Sequence, residues 1–177
     1  MPMPTKHRWT ATTSVLCGCL LLTVACGAAP LLTSVTAHVG TVLVPSALGV
    51  PFGLPGLRAT PLGGTTWAWQ LTEDFAATVL CAVAVLRVRR HVRLRPDGGR
   101  VRRLAAGWTA LVAGGAVAGT WRGLVVARMV EAGWGGWCGY AVAGAVFGAV
   151  WGVVLGWLPG ALTACAPPSG PRRSPHV

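Results

Sequence analysis

Arg87 to Arg103, seventeen residues, carry eight arginines and are flanked on both sides by long apolar stretches. Hydrocarbon excludes charge, and arginine-rich loops are retained on the cytoplasmic side of a bilayer. One stretch therefore points to a membrane protein and sets its orientation. Leu104–Trp121, Trp134–Leu158 and Thr10–Ala29 contain no charged residue. A helix rising about 1.5 Å per residue needs roughly 20 residues to cross a hydrocarbon core of ~30 Å. Three segments reach or approach that length unaided.

A fourth is less simple. Between Asp74 and Arg87 lie twelve residues, about 18 Å of helix, which is too short to span. The segment must begin near Trp67 and carry Glu73 and Asp74 below the outer headgroups. The expected fold class is thus all-α, a polytopic four-helix transmembrane bundle with a Pro/Gly-rich extracytoplasmic loop, forming one membrane domain over residues 1–177. The expected spans are 10–29, 67–86, 104–127 and 134–158. They are joined by an extracytoplasmic loop at 30–66 and a basic cytoplasmic loop at 87–103, with a cytoplasmic tail at 159–177.

Charge placement agrees with this layout. Twelve cations and Asp97 fall on the cytoplasmic face, whereas Arg58, Arg122 and Arg128 balance Glu73, Asp74 and Glu131 on the other, so the net +11 lies on one side. Topology is the plain reading of Arg87, Arg89, Arg90, Arg93, Arg95, Arg100, Arg102 and Arg103, and attraction to anionic lipid headgroups follows from it. A nucleic-acid partner is not expected, because no aromatic platform or reading motif accompanies the arginines. Fourteen arginines against one lysine, with abundant Ala, Gly, Val and Pro, is the composition that high-GC coding produces. Tryptophan prefers the headgroup level. Trp9, Trp67, Trp69, Trp108, Trp121, Trp134, Trp137 and Trp157 all fall near the expected span ends, and Trp151 alone sits deeper.

Residues 31–66 hold Pro45, Pro51, Pro55 and Pro61 with six glycines, a spacing that forbids a continuous helix. This region reads as an apolar loop that lies on the bilayer or folds over the helices, with a short helix around Leu31–Val44. The N-terminus also resembles a signal peptide with a degraded lipobox at Thr23-Val24-Ala25-Cys26, where Thr23 departs from the pattern. An uncleaved first helix is the favoured reading, and cleavage would leave three spans in the same orientation.

The fourth segment carries Gly144, Gly148, Gly152, Gly156 and Gly160, and the third carries Gly115, Gly119 and Gly123. Small residues at every fourth place let helix backbones approach closely in lipid. Each four-residue step advances about 400°, so four steps drift by roughly 160° around the helix. On a straight helix the stripe cannot all face one neighbour. Part is expected to pack against the third segment, and the rest against the first segment or a second copy of the protein.

Ionisable groups below the headgroups generally face protein or water and have a partner. Arg122 is the best partner for Glu73 or Asp74, and Arg128 and Glu131, three apart, can pair locally on a helix. Six cysteines form no CxxC or metal-binding spacing. Cys26 and Cys138 both fall near the outer face, where a disulfide is chemically allowed. None of His7, His38, His91 and His176 sits mid-bilayer, which argues against haem ligation. No cofactor is expected, and no Ser-His-Asp spacing, phosphate loop or HExxH appears.

Two function classes remain. The first is a non-catalytic accessory or scaffold component that packs through its glycine-striped helices against itself or other membrane helices. The second is a small oligomeric transporter or channel using the Glu73/Asp74/Arg122 cluster. Small multidrug exporters also have four helices and an intramembrane carboxylate, but theirs lies in the first helix, where this chain has no acid.

Overall fold

Helix boundaries follow local sequence chemistry. The structure, a computed structural model, describes residues 6–28, 53–61, 66–95 and 98–166. The short helix expected around Leu31–Val44, and Asp97, Pro168, Arg172 and Arg173, lie outside the described residues. Helix α1 covers Lys6–Gly27, α2 Trp67–Leu94, α3 Arg100–Met129, α4 Trp134–Leu155 and α5 Trp157–Cys165. The described residues are all-α, with five helices. Thr66 caps α2 by accepting a hydrogen bond from the Trp69 N–H at 3.3 Å, which satisfies one of the free donors of the first turn.

Helix α3 ends in a Schellman motif. The Ala132 N–H reaches back to Ala127 O at 2.9 Å, and the Glu131 N–H to Arg128 O at 3.3 Å. This motif needs a left-handed residue after the cap, a place usually taken by glycine. Here Glu131 takes it, with φ 51°. Four residues, 130–133, then reverse the chain into α4. Arg128 and Glu131 therefore do not share a helix as the sequence reading assumed; both are exposed, and no ion pair joins them.

Among the described residues two helices, α3 and α4, are long and apolar enough to cross a membrane. The apolar part of α1, Ala11–Gly27, is shorter. Helix α2 has 28 residues, about 42 Å, but carries Glu73 and Asp74 in one half and Arg87, Arg89 and Arg90 in the other.

Helix α3 is central, packing on α2, α4 and α5, while α1 lies against α2 and α5. Small residues line the interior. Ala76, Ala77, Leu80, Cys81, Ala84 and Val88 of α2 and Ala110, Leu111 and Ala118 of α3 are buried, whereas Leu71, Phe75, Leu86 and Trp67 point outward. Helix α4 takes this to the limit. Only Gly144, Gly148 and Gly152 are buried, and Val142, Val146, Val150, Val153 and Val154 are 50–62 % exposed.

All five glycines of the stripe meet α3. A Cβ on Gly144 would collide with Gly119 O, one on Gly148 with Gly115 O, one on Gly152 with Val112 Cα, one on Gly156 with the Trp108 ring, and one on Gly160 with Leu104 O. The collisions are reciprocal at Gly115 and Gly119, and a Cβ on Gly123 would strike Tyr140 O. The expectation that part of the stripe must turn to α1 or to a second copy is corrected here. It took both helices to be straight, and a straight pair could not keep all five glycines on one seam. At Gly156, between α4 and α5, the backbone stays in the right-handed helical region and the Gly160 N–H reaches Gly156 O at 3.0 Å, so the stripe carries on along α3.

The expected tail begins inside this structure. Pro159 stands in the first turn of α5, where its missing N–H leaves no bond unmade. Residues 157–165 continue along α3 and also lie against α1: Gly18 lies against Pro159 and Leu162, and Gly107 against Gly160 and Thr163. The Thr163 hydroxyl, buried, donates to Gly160 O at 2.7 Å and also lies 2.9 Å from Arg103 O.

Candidate functional site

At the end of the bundle away from the arginines, the chain at 53–58 is not helical and sits among three helices. Leu54, Pro55 and Gly56 are buried there. The Leu57 N–H donates to Thr23 O of α1 at 3.0 Å. Gly27 and Gly56 permit this approach, since a Cβ on Gly56 would lie 2.8 Å from the Gly27 backbone.

Polar side chains of α2 and α3 hold the same segment. Arg122 Nε donates to Glu73 Oε1 at 2.8 Å, with the two side chains 8 % and 12 % exposed, and Arg122 Nη1 donates to Gly53 O. Asp74 Oδ1 accepts from the Arg58 N–H at 3.1 Å and from Gln70 Nε2 at 3.0 Å. Gln70 Nε2 also reaches Arg58 O at 3.1 Å. The arrangement is a clamp on a peptide backbone. Asp74 takes the amide of Arg58, Gln70 takes its carbonyl, and Arg122 takes the carbonyl of Gly53. The Arg58 Nε is itself buried without an acceptor among the described residues.

Of the candidate ion cluster, Glu73 and Arg122 are brought together, Asp74 faces Arg58 and Gln70 instead, and Arg128 and Glu131 stand apart at the α3–α4 turn. Adjacent acids on a helix diverge, so the two carboxylates serve different partners. Gln70 was not among the candidates, although Gln and Asp four apart on a helix face one another. Gly53 and Arg58 take part through main-chain atoms, for which sequence carries no signal. Gly114 and Gly107 were also missed: Gly114 lies against Leu80 of α2, where a Cβ would sit 2.7 Å from Leu80 O.

At the opposite end, Arg87, Arg89, Arg90, Arg93, Arg95, Arg100 and Arg102 are exposed. Arg103 differs. Its Nε donates to Gly98 O at 3.1 Å and its Nη1 to Ala166 O at 3.0 Å, which ties the α2–α3 connection to the end of α5. The His91 ring is held below its ordinary pKa, first by burial and then by the charges of Arg95 and Arg102. All six cysteines are free thiols, Cys26 and Cys138 included. Among the described residues no group of three or more His, Cys, Asp or Glu could hold a metal. Comparison with protein-family models, with curated proteins and with solved structures finds no match to this chain.

Proposed function

We propose that the chain is a non-catalytic integral membrane protein with four spans and both termini cytoplasmic, acting as an accessory or scaffold component beside other membrane helices. One observation carries this reading: both carboxylates at the 53–58 end are already engaged, Glu73 by Arg122 and Asp74 by the segment itself, which Gln70 and Arg122 also hold. A carboxylate that couples proton or ligand movement must exchange partners during its cycle. Glu73 is occupied by Arg122, and Asp74 by a backbone amide and the Gln70 amide. Such a cluster fixes helix register.

Membrane insertion draws support from helix α4, which turns bulky apolar side chains outward and only glycine inward. In water that arrangement would expose a large apolar patch, whereas in lipid it leaves close backbone packing as the source of helix cohesion. The glycines are engaged within the chain, so partner helices would meet the valine face of α4 or the Leu16, Leu20, Leu21 and Val24 face of α1, all exposed. The exposed arginines would face anionic headgroups.

A small oligomeric transporter or channel is the second reading. Its favouring observation is non-helical backbone beside buried charge, since irregular backbone at membrane depth is tolerated only where protein or a water-filled path surrounds it. Native mass spectrometry of the chain extracted from its own membranes separates the two. The scaffold reading expects stoichiometric foreign subunits, lost when Val146 and Val150 are both changed to Trp. A homo-oligomer alone, with ion flux in liposomes that Glu73→Gln abolishes, would overturn it.

A further inference from the structure

We infer that the groove between the arginine end of α2 and the start of α3 is a binding site for one anionic phospholipid, with its phosphate held by Arg87, Arg90 and His91. The inference rests on the membrane reading above and adds a discrete site to it. The groove has a volume of about 610 Å3 and is open on one side. Its α2 wall is one helical face, residues 83, 86, 87, 90, 91 and 94, and its α3 wall is Ala106 and Thr109. Thr109 turns its hydroxyl onto its own helix, donating to Ala105 O at 2.8 Å, so it presents a methyl group to the groove.

Chemistry along that face is ordered by depth. Val83 and Leu86 form an apolar stretch on the span side, and Ala106 lies beside the Arg87–Arg90 turn, because α3 runs antiparallel to α2 with Gly114 against Leu80. Arg87 comes next, then Arg90 and His91 a helical turn further on, about 4.5–6 Å along the axis. That is the order of a phospholipid: hydrocarbon, then phosphate. Two guanidinium forks on one turn can each present paired donors to phosphate oxygens.

The same groups lack protein partners. Among the described residues no carboxylate pairs with Arg87 or Arg90, since the one ion pair is Glu73–Arg122. His91 Nε2 is closed to solvent and has no hydrogen-bond partner among the described residues, so the ring must turn for the phosphate to reach it. A polar atom in that state needs a ligand or an ordered water. Arg103, three residues before Ala106, shows the contrast, because its donors are used on Gly98 and Ala166. A generally basic surface would not distinguish these arginines, whereas a groove with an apolar floor does.

The test uses the full chain in detergent micelles doped with phosphatidylglycerol or with phosphatidylcholine of the same acyl chains, read by native mass spectrometry. One phosphatidylglycerol retained per chain, well above phosphatidylcholine, is the expected result. Arg87→Gln/Arg90→Gln should weaken retention roughly tenfold or more, since each lost contact is a charge-assisted hydrogen bond. Arg93→Gln/Arg100→Gln, which removes the same charge outside the groove, should leave it unchanged. Equal loss in both doubles would reduce the effect to general surface charge and overturn the site. Soluble glycerol phosphate competing as well as the lipid would mean a phosphate site without a lipid, which also overturns it. Each variant is checked for orientation by a reporter after Pro168, so a flipped chain is not scored as lost binding. Release of the wild-type chain from membranes by alkaline carbonate would instead sink the membrane reading itself.

Discussion

Where α3 meets α4, the contact is made by residues with no side chain. Where the same helix meets α2 and the 53–58 segment at the end away from the arginines, it is made by Arg122, one of the longest side chains available. At the first surface Gly115 and Gly119 lie on the carbonyls of Gly148 and Gly144, the geometry in which Cα–H···O contacts recur between helices. At the second, three polar side chains reach out to main-chain atoms of a segment that has no helix of its own. The first is a fit of surfaces and depends on the absence of atoms. The second is a set of directed bonds and depends on charge and on each partner being present. They should fail differently.

The largest effect is expected at the seam. Gly119→Leu or Gly148→Leu puts a branched side chain where even a Cβ strikes backbone, and backbone cannot rotate aside. Destabilisation of more than about 3 kcal/mol, the upper range for overpacking, should appear as lost thermal stability in detergent. Ala145→Leu, on a half-buried position beside the seam, should change it little. Equal tolerance at all three positions would mean that α3 and α4 do not approach this closely.

Next comes the ion pair. Arg122→Gln leaves the Glu73 charge in a poorly solvated place and weakens the bond to Gly53 O. Losing one partner of a buried pair is worth about 3–5 kcal/mol, and slight exposure at both side chains lowers the expectation to about 2 kcal/mol. Adding Glu73→Gln should recover more than half of that in the same thermal assay. Strict additivity of the two changes would break the comparison, because independent residues would then be holding the segment.

A smaller effect is expected at Asp74. One oxygen, Oδ1, accepts both bonds, and a neutral amide oxygen can replace it. Asp74→Asn should lose about 0.5 kcal/mol, whereas Asp74→Ala, which leaves the Arg58 N–H unpaired, should lose about 1–2 kcal/mol. Limited proteolysis at 53–61 reads this directly: faster cleavage in the Ala variant alone is the expected pattern. The smallest effect carries the opposite sign. Glu131→Gly removes a side chain from a left-handed position and should stabilise the α3–α4 hairpin by up to about 1 kcal/mol. Destabilisation by this change would mean that Glu131 makes a contact its exposure does not suggest.

These two regions were not equally legible in the amino-acid order. The glycine repeat is visible because it is periodic, and the α3–α4 pairing follows from the short connection between them. Its full reach was misjudged because the 160° drift applies to straight helices, and spacing alone does not tell how a helix bends along its neighbour. The Glu73–Arg122 pair could be anticipated because the chain offers few buried charges of opposite sign. The rest of the clamp could not, since Gly53 O, Arg58 N–H and Thr23 O are atoms that every residue possesses. Pro159 misled in a different way. It was taken for the start of a tail, but proline in the first turn of a helix breaks nothing.

The clamp also has a consequence for the order of events as the molecule assembles. Its donors and acceptors come from α1, α2 and α3, so the set that receives 53–58 is complete only when all three helices are in place. The α3–α4 hairpin, by contrast, closes across four residues and needs nothing else. The hairpin can form early from local contacts, while the segment becomes seated only on a finished bundle. Its burial is thus a tally mark for complete assembly, and a molecule caught with that stretch open to a protease is one whose helices have not all arrived.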